Sequence, residues 1–159
     1  MKPRFSTLIA GLAAFGCASS SADKASPSVA APSSGDDDLV VGALSESALP
    51  RGKCGMVLWT LEANRPTPIF RLAAGEPAEI MLGGKLTKFA MTEAIGASGY
   101  GVSEEQRFVA DGLNATVKVR FGLGFDGGTY LERGLLTIEA ENGWRSVIPA
   151  AGIAGCRQK

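Results

Sequence analysis

The sequence predicts an all-β domain: a small antiparallel barrel, with a β-sandwich as the alternative, of seven or eight short strands closed by one disulfide. Three observations carry this. Apolar and polar residues alternate with period two, most clearly where Ala115, Val117, Val119 and Phe121 interleave with Thr116, Lys118 and Arg120. Short β-prone runs are separated by the turn dipeptides Gly83-Gly84, Asp111-Gly112 and Asn142-Gly143, all of which accept positive φ. Two cysteines, Cys54 and Cys156, stand at the two ends of this region, each beside a glycine that lets two backbones approach closely.

The strands follow in order. Met56–Leu61 is apolar and β-prone, a buried first strand that Asn64-Arg65-Pro66-Thr67-Pro68 ends. Ile69–Leu72 is a short second strand. Ala78–Leu82 and Leu86–Thr92 flank Gly83-Gly84, Gln106–Ala110 and Ala115–Phe121 flank Asp111-Gly112, and Leu135–Glu141 and Trp144–Ile148 flank Asn142-Gly143. Ser103-Glu104-Glu105-Gln106 fits a helix capping box, but Gly112 follows too soon for more than a single turn. Phe121-Gly122-Leu123-Gly124-Phe125 reads as a bulged strand plugging one end of the barrel, or else as an apolar pocket lining or contact patch. Regular spacing and the need to protect strand edges favour a barrel.

Ahead of the β region lie a leader and a tether. Lys2 and Arg4 precede an uncharged run from Phe5 to Phe15, too short to span a bilayer and of signal-peptide size. The run ends at Ala14-Phe15-Gly16-Cys17, which resembles a bacterial lipobox, so residues 1–17 are assigned as a signal peptide with Cys17 as the lipidation site. Cleavage after Ser20-Ser21-Ala22 is the competing reading. With no Asp directly after Cys17, the periplasmic face of the outer membrane is the expected location, a soluble periplasmic or secreted protein being the alternative. Residues 18–45 are rich in Ser, Ala and Pro, carry Asp36-Asp37-Asp38 and form a flexible linker. The β domain then spans 46–159. In an oxidising compartment its two cysteines pair.

Composition excludes much chemistry. There is no His, which removes Ser-His-Asp and Cys-His catalysis and the common His-based zinc sites. Sixteen basic residues balance 16 acidic ones, so no basic surplus calls for nucleic acid. A Ser with Lys85 or Lys88 forms no recognisable catalytic pattern, and Glu104-Glu105, adjacent in a strand, point to opposite faces. Neither a catalytic residue, a metal site nor a cofactor is expected. The segment Ala97-Ser98-Gly99-Tyr100-Gly101-Val102-Ser103 combines Tyr with Ser and Gly, a composition that suits protein recognition, so Ser98, Tyr100 and Ser103 are the candidate partner-binding residues.

Lipobox, linker, paired terminal cysteines and Ser98-Gly99-Tyr100 together resemble small proteobacterial envelope lipoproteins, in particular the membrane-bound inhibitors of c-type lysozyme. That resemblance implies an eight-stranded barrel and a muramidase partner. The chain departs from the family in two places: Tyr100 follows Ser98-Gly99 too closely, and Trp144-Arg145-Ser146 does not reproduce the second family element. It is also similar in layout to uncharacterised exported proteins with a Cys…Cys frame. The expected function is therefore a non-enzymatic, lipid-anchored β-module that binds another envelope macromolecule. A muramidase inhibitor and a carrier of a small apolar ligand in the barrel interior are the alternatives.

Overall fold

The computed structural model describes residues 39–159. The leader, the lipidation site at Cys17 and most of the linker lie outside them. The described chain forms β1 (Val41–Gly42), β2 (Cys54–Thr60), β3 (Pro68–Ala73), β4 (Ala78–Leu82), β5 (Lys85–Gly99), β6 (Val102–Ala110), β7 (Leu113–Phe125), β8 (Gly128–Ala140) and β9 (Arg145–Cys156). Strands β2 to β9 pair with their sequence neighbours, all antiparallel, and β9 returns to β2, closing an eight-stranded up-and-down barrel. Closure leaves few free edges, which is why the barrel wins over a sandwich.

The seam between first and last strands runs in register from Cys54↔Cys156 to Thr60↔Ala150. Cys54 O accepts from Ala74 N and Cys156 N donates to Gly127 O, so each cysteine spends a backbone group on its other neighbour. The two face each other at 3.9 Å between Cα atoms and form the disulfide. Such a bridge suggests an oxidising, extracytoplasmic environment.

Alternation sorts the wall into an inner and an outer face. Met56 and Leu58, Phe70 and Leu72, Ala78 and Ile80, Phe89, Phe108, Val117, Leu136 and Ile138 point inward and are fully or almost fully buried. Phe70 and Phe108 meet edge to face at 5.5 Å between ring centroids. The small residues Ala150 and Ala154 on β9 complete the layer. The interior is a packed core rather than an open lumen.

Three polar side chains are buried in the described chain, Thr129, Thr137 and, most deeply, Gln106. Gln106 is 1% exposed; its Nε2 donates to Met91 Sδ at 3.1 Å, and its Oε1 has no partner among the described residues. An unmatched buried carbonyl costs about 1–3 kcal/mol. Gln106→Met keeps the shape and removes that cost. Thermal unfolding should show a Tm a few degrees higher, at about 1 kcal/mol gained. An unchanged or lower Tm would mean that a buried water already satisfies Oε1.

Residues just upstream of Glu46 also pack on the barrel. Val41 and Gly42 pair with Leu82 and Met81, Leu44 is buried, and Leu44 N donates to Pro68 O at 2.8 Å. Residues 43–53 then climb the outside of β3 and β2 as a strap. Arg71 holds it by donating to Ala48 O (2.9 Å) and Glu46 Oε2 (3.2 Å), while Glu79 engages the same guanidinium from behind. Burial alone would lower the Arg71 pKa; the hydrogen bonds to Glu79 and Glu46 outweigh it and raise it. Arg157 donates to Leu49 O at 2.8 Å and fixes the upper end of the strap.

The capping-box reading of Ser103–Gln106 is corrected: these residues lie in β6, which pairs with β5 from Val102 and with β7 from Glu105 onward. Ladder pairing on both edges gives the backbone groups of Glu105 and Gln106 their partners, which a single helical turn does not. The tract Phe121–Phe125 is indeed bulged, with a register shift between Phe121 and Gly124. Phe121 packs against the core, but Leu123 is 79% exposed, so only the first residue of the tract turns inward.

Candidate binding surface

Two features of the surface could hold a partner, and both involve the end of the barrel that carries the disulfide. The first is the β5–β6 hairpin. Pairing of β5 with β4 ends at Ala78↔Phe89, whereas pairing with β6 continues to Gly99↔Val102. Residues 90–98 are exposed, with no second partner strand among the described residues. Bulges between Met91 and Glu93 and between Ile95 and Ser98 bend this arm. It curls over the barrel end, so that Val102 enters the core, Gly101 lies against Ala74 and Gly99 approaches the Phe121 ring. Glu104 Oε2 accepts from Ala97 N at 3.3 Å and braces the second bulge.

The hairpin tip brings the three candidate residues together. Ser98 pairs with Ser103, and Tyr100 and Gly101 form the two-residue turn between Gly99 and Val102. Both turn residues have positive φ, 58° at Tyr100 and 75° at Gly101. Such a turn prefers Asn, Asp or Gly at its first position, as Asp111-Gly112 shows at the other end of β6. Tyrosine there bears a backbone cost of about 1–2 kcal/mol. Its side chain is 38% exposed and finds no hydrogen-bond partner among the described residues.

The second feature was anticipated only at Phe125, whose tract the sequence reads alternatively as an apolar pocket lining or contact patch. Between the strap and the β7–β8 hairpin lies a groove of about 440 Å³, floored by Val57, Trp59, Phe125 and Ile153 and edged by Asp126 and Arg157. Phe125 stacks obliquely on Tyr130, with ring centroids 5.1 Å apart. A depression of about 380 Å³ continues past Trp59 toward Leu61, Pro66 and Ala151. The available signal was that the outward positions of β9, Val147, Pro149, Ala151 and Ile153, are apolar, in alternation with the small inward residues Ala150 and Ala154.

The opposite wall is of another kind. Arg107 bridges Glu93 (2.8 Å) and Glu105 (2.9 Å), Lys118 joins Glu105 (3.0 Å), and Arg120 reaches Glu132 (3.5 Å). Hydrogen bonds from Lys118 and then Arg107 hold the Glu105 carboxyl below the ordinary carboxylate range. These surface pairs, all but Arg107–Glu105 running between strands, solvate the wall and add little stability.

Among the described residues no three His, Cys, Asp or Glu side chains stand together as metal ligands, and no helix is long and apolar enough to cross a membrane. Comparison with protein-family models, curated proteins and solved structures finds no match.

Proposed function

We propose that this chain is a non-enzymatic binding module of the cell envelope, tethered through its N-terminal segment by a lipid at Cys17 and engaging another macromolecule with the β5–β6 tip. The observation that carries this reading is Tyr100: a partly exposed aromatic kept at φ 58° in a turn position that Asn would occupy at lower cost. Backbone strain at an exposed tip has a rationale when the side chain it presents makes a contact elsewhere. A tip braced at Ala97 and packed at Val102 loses little freedom on binding. Phe70, Phe89 and Phe108 occupy the barrel centre, which favours such surface recognition over carriage of a ligand inside.

The test separates stability from binding. Tyr100→Asn should raise Tm by a few degrees, by relieving about 1 kcal/mol of left-handed backbone cost, and should weaken capture of the envelope partner about tenfold or more. Undiminished capture by the more stable variant would remove the tip from the binding site. Inhibition of a muramidase is the second reading, favoured by the exposure of Ser98 and Tyr100 at a hairpin tip. Titration of muramidases with the protein distinguishes the two.

A further inference from the structure

We infer that Leu123 is a second anchor of the partner-binding end, presented near Tyr100 by a bulge that Thr129 holds, and that the two engage one folded protein through an apolar recess on its surface. The inference rests on the reading of the β5–β6 tip given above and extends it to the neighbouring hairpin. Strands β6 and β7 pair no further than Glu105↔Lys118, whereas β5–β6 continues to Gly99↔Val102 and β7–β8 to Phe125↔Gly128. The wall therefore divides into two hairpins at the disulfide end. They meet again where Gly99 approaches the Phe121 ring. Tyr100 directly follows one side of that contact, and Leu123 lies just beyond the other.

The bulge is built to hold its shape. Gly122 and Leu123 together oppose Tyr130, between the pairs Phe121↔Leu131 and Gly124↔Thr129. Thr129 is 8% exposed, and its hydroxyl proton is shared between the carbonyl oxygens of Gly122 and Leu123, each 3.2 Å away. Leu123 itself is 79% exposed, more than any other large apolar side chain among the described residues, and packs on no part of the core. Phe125 is already occupied within its own hairpin: its ring stacks on Tyr130, and a Cβ at Gly128 would stand 2.5 Å from it. Rigidity and charge select a protein over a bilayer. Glu104 braces the tip and Thr129 the bulge, so the two anchors keep a fixed spacing. Such preorganisation favours a partner of fixed shape, whereas a fluid lipid surface adapts to any spacing. Asp126, in the turn of the same hairpin, forms no ion pair among the described residues, and entering the apolar layer of a membrane would cost it its hydration.

A photoreactive aromatic ketone side chain, introduced in place of Leu123, Tyr100 or Val109 in the full chain in its own host, tests this. From positions 123 and 100 it should cross-link the same protein. From position 109, exposed beside the turn at the other end of β6, it should cross-link none. In titrations with that purified protein, Leu123→Asp should bind about ten- to a hundredfold more weakly, the loss of one buried leucine, at an unchanged Tm. Thr129→Val should weaken binding about threefold or more with Leu123 in place, and Thr129→Ser should restore it. Cross-linking from position 100 without 123, or binding by Leu123→Asp equal to the parent, overturns the second anchor and leaves the tip as the site. Failure at both positions overturns the reading of the tip as well. A Leu123→Trp chain whose fluorescence shifts further to the blue than the parent's on phosphatidylethanolamine–phosphatidylglycerol vesicles, or cross-linking from position 123 only to a second copy, overturns the protein partner.

Discussion

Replacing Cys54 and Cys156 together by alanine is expected to lower stability by about 2–5 kcal/mol, a fall in Tm on the order of 10–20 °C for a domain of this size. The bridge spans 102 residues of sequence, so nearly the whole barrel is the loop it closes. In the chain-entropy account a loop of about 100 residues corresponds to about 4.7 kcal/mol of restriction on the unfolded chain. The folded state should tolerate the change. The β2–β9 seam keeps its register down to Thr60↔Ala150, and Lys53 O still accepts from Arg157 N beside the bridge. The variant should therefore show the same far-ultraviolet circular dichroism at low temperature and a much lower midpoint. Refolding should slow as well. The seam joins the most distant strands in the chain, and without the bridge its loop-closure entropy must be met during folding. A midpoint within a degree or two of the parent would show that the bridge does not restrain the unfolded chain.

That seam also shows why parts of the fold could be read and others not. All eight barrel strands were visible, because alternation and turn dipeptides are local signals. Their lengths were underread wherever the alternation breaks. β8 begins at Gly128, seven residues before Leu135, since bulges between Leu131 and Gly134 and a positive φ at Arg133 interrupt its period. β5 continues through Ala94–Gly99, where small residues and Gly96 look like loop; pairing with β6 overrides that propensity. The strap could not be read, since Ala43–Pro50 has no periodicity and its place depends on Arg71 and Arg157 reaching across from distant strands. The tip residues Ser98, Tyr100 and Ser103 were legible as a group because a hairpin turn brings near neighbours together. The groove was not. In Met56–Leu61 both faces are apolar, and an uninterrupted apolar run looks the same whether its second face is covered by protein or left open.

Phe108→Ala is expected to cost about 3–5 kcal/mol, a loss comparable with that of the disulfide. Phe108 is 1% exposed, stands against Phe70 and lies at the level where β6 pairs with Ala115 of β7 and Met91 of β5. The truncation loses the transfer free energy of a ring and the edge-to-face contact, and it leaves a void that the hydrogen-bonded barrel wall closes around only in part. A closed barrel relaxes less than an open sheet, since moving one strand inward strains both of its ladders. The expected cost therefore lies toward the upper end of the range. The void should be lined by Phe70, Phe89 and other apolar side chains and so stay dry. Benzene added to Phe108→Ala should then raise its Tm by mass action, and should leave the parent unaffected. A loss below about 1 kcal/mol, or benzene stabilising the parent equally, would mean that the barrel centre already holds space. The role of ligand carrier inside the barrel, rather than partner recognition at its surface, would then have a cavity to support it.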